Sequence, residues 1–260
     1  MRVITFNANG IRSAAKKGFY DWLATMNADF VCIQETKAHL VSLQNHALFF
    51  PEGYVCHYVD ALKKGYSGVA LYARQQPQKI IIQLGIASAD TEGRYIQFDY
   101  PNMSIASIYF PSGTSGEERQ AVKYQFLAEI EQHFKTLKTS GRELILCGDF
   151  NIAHRAIDLK NWRSNQKHTG FLPKERAWLD MLFDEMGFVD AFRVCNQKPE
   201  QYTWWSQRGR ARENNVGWRI DYQVVTPPIA KCITAVAIAS HPLFSDHAPL
   251  VIDYSGEWCA

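Results

Sequence analysis

The chain has 260 residues, 47% hydrophobic and 21% charged, so it buries a sizeable core without disulfide staples and suits one large domain or two small ones. Lys and Arg number 28 against 26 Asp and Glu, a formal net charge of +2, so bulk charge does not identify a nucleic-acid binder; a DNA partner requires positive charge gathered on one face. No run approaches the roughly 20 apolar residues of a membrane span, and Met1–Gly10 lacks the apolar core and cleavage site of a signal peptide.

In chain order, Arg2–Phe6, Phe30–Gln34, Tyr54–Val59, Gly68–Tyr72, Lys79–Leu84, Tyr95–Tyr100 and Ser104–Phe110 read as strands, short and rich in β-branched or aromatic residues. Glu143–Cys147, Thr203–Trp205, Arg219–Val225, Cys232–Ala239 and Pro249–Tyr254 continue the series. The runs Phe30-Val-Cys-Ile and Leu144-Ile-Leu-Cys are almost wholly apolar, as in strands covered on both faces. Phe19–Met26 reads as a short helix. Glu117–Leu137 reads as a longer one, with Val122, Phe126, Ile130, Phe134 and Leu137 as its buried stripe and Ser115 with Glu118 as its capping box. Pro173–Met186 opens on Pro, stops at Gly187 and turns Trp178, Leu182, Phe183 and Met186 inward.

Strands outnumber helices and do not alternate regularly with them. That argues against a doubly wound sheet or an eight-fold barrel and for two packed sheets with helices outside. No repeat or linker divides the chain, so one domain over residues 1–260 is expected. The six cysteines form no C-x-x-C pair and no zinc spacing; Cys32 and Cys147 read as small buried hydrophobes, and a reduced, cytoplasmic protein follows.

The strands stop on chemistry. Ile4–Phe6 runs into Asn7-Ala8-Asn9-Gly10, Val31–Ile33 into Gln34-Glu35-Thr36-Lys37, and Ile105–Ile108 into Tyr109-Phe110-Pro111. Leu144–Cys147 runs into Gly148-Asp149-Phe150-Asn151; Asp221 lies near the start of its strand, and Ser245-Asp246-His247 directly precedes another. Singly, each ending is a turn, a cap or the point where a strand meets water. Jointly, so many in one chain imply a cluster of Asn7, Asn9, Glu35, Tyr109, Asp149, Asn151, Asp221, Asp246 and His247. Four carboxylates in one place repel unless a cation intervenes, and oxygen donors suit a hard ion such as Mg²⁺ or Mn²⁺.

These residues resemble the exonuclease III family of abasic-site endonucleases, within the wider endonuclease/exonuclease/phosphatase fold. The resemblance runs from Phe6-Asn7-Ala8-Asn9-Gly10-Ile11-Arg12 to Ser245-Asp246-His247-Ala248-Pro249. Asp149-x-Asn151 and Ser245-Asp246-His247 mark only the superfamily; Ile157–Asn161, Gly170–Arg176 and Val216–Tyr222 point to its DNA-repair branch. The resemblance implies a four-layered α/β sandwich of two mixed sheets flanked by helices. It implies Mg²⁺-dependent hydrolysis, with Mn²⁺ as a substitute, of duplex DNA 5′ to abasic sites, and 3′-exonuclease, 3′-phosphatase and 3′-phosphodiesterase activities, by a monomer that does not bind membranes.

By the same resemblance Glu35 is the main metal ligand with Asn7 and Asn9 beside it, and Asp246 is a second ligand. Asp149, held by Asn151, activates the water; His247, paired with Asp221, faces the phosphate; Tyr109 contacts the phosphate or steadies the leaving group. Trp204, Trp218 and Ile220 wall a pocket for a base-free sugar, with Asn165, His168 and Arg208 as further substrate contacts. Trp205 reads as core. Arg155, Lys160, Arg163, Lys167, Lys174 and Arg176, and separately Arg208, Arg210 and Arg212, are basic stretches suited to phosphates. Ser112, His168 and the Thr114-Ser115 loop depart from the family pattern and bear on the balance of abasic cleavage against 3′ trimming. The rivals are a same-fold phosphohydrolase of inositol-phosphate or sphingolipid head groups and a non-catalytic DNA-binding module.

Overall fold

A computed structural model describes residues 1–256; Cys259 lies outside them. Two six-stranded sheets form its centre. Numbered along the chain, the first runs β13 (Ile233–Ile238), β14 (Leu250–Tyr254), β1 (Arg2–Asn7), β2 (Phe30–Gln34), β4 (Val69–Ala73), β3 (Val55–Val59). The second runs β5 (Lys79–Ile81), β6 (Tyr95–Asp99), β7 (Met103–Tyr109), β8 (Glu143–Asp149), β12 (Asp221–Val225), β9 (Val189–Asp190). Within each sheet one central pair is parallel, β1 with β2 and β7 with β8, and the other pairs are antiparallel. A two-stranded ribbon, β10 (Trp204–Trp205) with β11 (Gly217–Trp218), stands apart.

The period of two along each strand builds the layers. Val3, Phe30, Cys32, Val69, Leu71, Ile105, Ile145, Cys147, Leu250 and Ile252 point between the sheets into one buried cluster. Their neighbours Ile4, Val31, Ile33, Ala70 and Tyr72 point outward under Phe19, Tyr20 and Leu23 of the helix Phe19–Met26. On the other sheet Ala106, Ile108, Leu144, Leu146 and Val224 point outward under Phe126, Ile130 and Phe134 of the helix Glu117–Thr139 and under Trp178 and Leu182. The result is the expected helix–sheet–sheet–helix sandwich, each large buried side chain contributing roughly 1.5–3 kcal/mol. No helix among the described residues is long and apolar enough to cross a membrane.

Several boundaries differ from the sequence expectation. The segment 173–186 is an α-helix only over Pro173–Asp180 and continues as a π-turn over Met181–Glu185. No capping box forms before Glu117: the N-cap is Gly116 at φ 102°, which no side chain caps, and Val122 lies half-buried while Lys123 takes the buried place. The strand expected over Lys79–Leu84 ends at Ile81. Arg219 and Ile220 precede β12 because the Arg219 guanidinium turns to Asp158 at 2.8 Å and Asp190 at 2.7 Å. The two-residue strands β9 and β11 and the short helices Ile11–Lys16, Ala87–Thr91 and Ala191–Cys195 carry too few residues for a period to show.

Buried polar side chains tie the sheets across the apolar layer. Gln34 Nε2 donates to Ser107 Oγ at 2.9 Å, and Ser107 Oγ to the Ile33 carbonyl at 3.1 Å. Gln223 Nε2 donates to the carbonyls of Val3 at 3.0 Å and Leu250 at 3.2 Å, while its Oε1 accepts from Tyr254 Oη at 2.9 Å. A buried polar group without a partner loses about 1–3 kcal/mol, so these bonds favour one relative placement of the sheets over a slip.

Candidate active site

Sheet register explains why distant residues meet. Asp149 ends β8 directly opposite Tyr109 at the end of β7 and Asp221 at the start of β12. Gly148 permits this: a Cβ there would stand 2.0 Å from the Ile108 carbonyl oxygen. In the other sheet Asn7 ends β1 opposite Gln34 at the end of β2, so Glu35 emerges beside it. The inter-sheet ties bring these two edges together.

Asn7 Nδ2 is the strut between them. It donates to Glu35 Oε1 of its own sheet and to Asp149 Oδ2 of the other, both at 2.8 Å, while its Oδ1 accepts the Asn9 N–H at 2.9 Å. Asn9 repeats the pattern, donating to Asp246 Oδ1 at 2.9 Å and accepting from Lys37 Nζ. Both asparagines, expected beside the cation, orient carboxylates through their amide nitrogens. Asn9, Glu35, Lys37 and Asn151 all adopt left-handed backbone, φ 43° to 52°, a conformation uncommon for side-chain-bearing residues and concentrated at functional sites.

Two buried carboxylates in direct cross-strand register repel, and His247 relieves the repulsion. Its Nδ1 lies 2.9 Å from Asp221 Oδ2 and its Nε2 3.9 Å from Asp149 Oδ2. Burial works against the imidazolium, but the charges of Asp221, Asp149 and Asp246 and the hydrogen bond to Asp221 overcome it and push His247 up to about 10. Asp149 is itself pushed up to about 8, first by burial, then by Asp221 and Glu35, against His247 and the Asn151 N–H, which donates to its Oδ1 at 2.8 Å. Asn151 Nδ2 donates to the Phe110 carbonyl at 2.9 Å, which fixes the turn.

Asp246 is lowered: burial opposes ionisation, but His247, Asn9, Ser245 and Trp204 outweigh it, the indole Nε1 donating at 3.2 Å. Tyr109 stays a neutral phenol, raised by burial and then by Glu35, with the Arg94 guanidinium 4.6 Å from its ring centre.

Glu35, Asp149 and His247 present ligand atoms within 4.8 Å of one another. Four carboxylates, Glu35, Asp149, Asp221 and Asp246, face two cations, Lys37 and His247. The acidic groups outnumber the cations, and the oxygen-rich donor set and the raised Asp149 fit a divalent cation.

One cavity of about 430 Å³ joins this cluster to an apolar wall. Asn9, Glu35, Lys37, Tyr109, Asp149, Asn151, Asp246 and His247 line one part, and Trp204, Trp218 and Ile220 another, with Asn165, Thr169, buried Gly170 and exposed His168 also in the lining. Asn7 and Asp221 lie buried behind it. The two indoles meet edge to face, centroids 6.4 Å apart, and Gly170 is packed so closely that a Cβ would stand 3.2 Å from both Trp218 and the Asn151 carbonyl. Trp205 is core, as expected.

Arg208 does not line the cavity; it lies exposed in the turn beyond it. Its neighbours form no free cationic stripe either: Arg210 pairs with Glu213, and Arg212 donates to the carbonyls of Ser245 and Ser240 over the Trp205 ring. Sequence reasoning quoted Lys37 within its motif without giving it a role, yet Lys37 Nζ lies 2.8 Å from Glu35 Oε2. Its signal was its place two residues from Glu35 in the same polar strand ending. A larger cavity, about 540 Å³, lies around Arg193 and Arg219; it contains none of the cluster, and these two arginines are neutralised by Asp158 and Asp190.

Residues 4–247 match the endonuclease/exonuclease/phosphatase family. An exodeoxyribonuclease of Bacillus subtilis is 38% identical over 254 residues, covering 96% of this chain and 98% of that protein. A DNA-(apurinic or apyrimidinic site) endonuclease of Dictyostelium discoideum is 35% identical over 96% of this chain and 69% of its own length. An AP endonuclease from Archaeoglobus fulgidus superposes with a TM-score of 0.88 at 27% identity, covering 98% of this chain and all of that one. The 3′ phosphatase NExo from Neisseria, bound to a product DNA hairpin, gives 0.89 at 25% identity with 98% and 100% coverage. The chain belongs to the endonuclease/exonuclease/phosphatase family of metal-dependent hydrolases, in the branch of the exodeoxyribonucleases and abasic-site endonucleases.

Proposed function

We propose that this chain hydrolyses the phosphodiester backbone of duplex DNA 5′ to abasic sites, leaving a 3′-hydroxyl, and clears 3′-phosphate and other 3′ blocks. The observation that carries this reading is the joining of an acidic, His-containing cluster to an indole-walled recess in one cavity. A base-free sugar fits between Trp204, Trp218 and Ile220, whereas a base-bearing nucleotide must compete with the exposed His168.

Glu35 carries the oxygens that would hold Mg²⁺, with Mn²⁺ as a substitute and Asp246 as a further ligand. The ion, when bound, supplies positive charge to the scissile phosphate and the departing 3′ oxygen. Asp149 accepts the proton of the attacking water, its Oδ1 held by the Asn151 N–H. His247, kept cationic and oriented by Asp221, offers Nε2 to the phosphate, and buried Tyr109 donates its phenolic hydrogen there. Asn165, whose Nδ2 donates to the Asn161 carbonyl at 2.8 Å, lines the cavity and serves as a substrate contact. The reading takes the enzyme as a cytoplasmic monomer; the five described cysteines are all free, as a reducing compartment keeps them.

The test is a set of parallel rates on duplexes with one abasic analogue, a 3′-phosphate or a recessed 3′-hydroxyl, beside inositol-phosphate and sphingolipid head-group substrates. Cleavage of the DNA substrates, lost with chelator and restored by Mg²⁺ or Mn²⁺, is expected. Turnover of head groups alone would overturn the reading, and full activity in chelator would overturn its metal dependence.

A further inference from the structure

Lys123 is a lysine with no exposed surface in the middle of the helix Glu117–Thr139. Its Nζ donates to Glu175 Oε1 at 2.6 Å and to the Asn151 carbonyl at 2.8 Å. Glu175, equally buried, gathers the other side of the site: Oε2 accepts the N–H groups of Gly170 at 2.7 Å and Leu172 at 2.9 Å, and Oε1 accepts Gln120 Nε2 at 3.1 Å and Thr169 Oγ1 at 3.3 Å. The Ala153 N–H closes the ring onto the Gly170 carbonyl at 2.8 Å.

Stability does not account for such a pair. Taking two charges out of water costs several kcal/mol each, and apolar residues of similar volume in the same place are often as stable or more so. What the pair does in this fold is geometric. Beyond the single Ala153–Gly170 bond, it links two segments at the cavity, the left-handed turn at Asn151, which holds Asp149, and the loop Thr169–Leu172, which packs beneath Trp218. Neither Lys123 nor Glu175 lines the cavity.

We propose that Lys123 and Glu175 form a positioning pair that holds the Asn151 turn in register with the floor of the sugar recess, so that water and phosphate are aligned at once. This rests on the proposed function, and wild-type activity on abasic and 3′-phosphate duplexes, measured first, tests that function by itself. In the double variant Lys123→Met/Glu175→Gln both charges go while an amide oxygen remains for Gly170 and Leu172. A misplacement of about 1 Å lowers rates roughly a hundredfold. The double variant is therefore expected to bind abasic duplex in chelator within about twofold of wild type, keep its KM, and lose about 10- to 100-fold in kcat on both substrates, because Asn151 serves both. Unchanged kcat per active molecule, or a loss confined to KM, overturns the proposal; a purely structural pair lowers Tm without touching kcat. If the double variant does not fold, Lys123→Met alone decides, since Glu175 keeps its donors from Gly170, Leu172, Gln120 and Thr169: the same fall in kcat supports the pair, and wild-type kcat overturns it.

Discussion

Asp149 is buried, faces Asp221 across a strand pair, and still has to accept a proton. Asp149→Asn keeps a carbonyl for the Asn151 N–H but removes that capacity. A general base contributes about 10²–10⁴-fold, so kcat is expected to fall by about a thousandfold while DNA affinity in chelator holds; undiminished cleavage would reject the assignment. His168→Asn shortens an exposed side chain that lines the cavity. Pocket volume changes of this size are worth about tenfold, so the ratio of abasic incision to 3′-phosphate release is expected to rise by roughly that factor; an unchanged ratio would remove His168 from substrate choice. Single residues were legible where chemistry allowed few alternatives. Glu35, Asp149 and His247 stood out as polar endings on apolar strands, whereas Arg208 and Arg212 were indistinguishable in sequence and only Arg212 is tied down by carbonyl partners.

At the scale of elements, strands were legible because alternation has a short period and Gly, Pro or polar residues stop it. The helix Glu117–Thr139 shows the limit: its stripe includes Lys123 and only half of Val122, because Glu175, fifty-two residues on, supplies the counter-charge. The same dependence on distant partners governs Asp158, which accepts from Arg193 at 2.6 Å and Arg219 at 2.8 Å. Burial opposes its ionisation, but the two guanidinium groups prevail and pull it to about 2. A carboxylate lowered on folding adds stability above its unfolded value, near 3.8, and loses it as pH falls through 2. That contribution is of the order of 2 kcal/mol. Asp158→Asn is therefore expected to lower Tm at pH 7, by about 3 kcal/mol of stability since Arg219 keeps only Asp190, and to flatten the acid side of the stability profile between pH 4 and 2. A variant as stable as wild type at pH 7 would contradict this.

At the scale of the molecule, the site exists because two sheets present their ends to one another in a fixed register, pinned by Gln34, Ser107 and Gln223. Gln34→Leu removes this tie and leaves Thr5 Oγ1, which donates to Gln34 Oε1 at 3.2 Å, buried without that acceptor, a loss of about 1–3 kcal/mol, and it frees the strand that carries Glu35. The expected result is a Tm lower by a few degrees and, in the folded protein, a kcat lower by about tenfold, read by thermal melts beside steady-state rates; unchanged kcat would show that apolar packing alone sets the register.

The sequence by itself determined the longer strands, the two-sided burial of Phe30–Ile33 and Leu144–Cys147, and the residue types that meet at the site, because these follow from local period and side-chain chemistry. Only the tertiary structure decided that Asn7 spans the sheets as a strut, that Lys37 answers Glu35, and that Lys123 lies buried against Glu175. Each of those depends on a partner 2 to 142 residues away whose orientation is set by sheet packing, and a hydrogen bond or ion pair has no periodic signature along the chain.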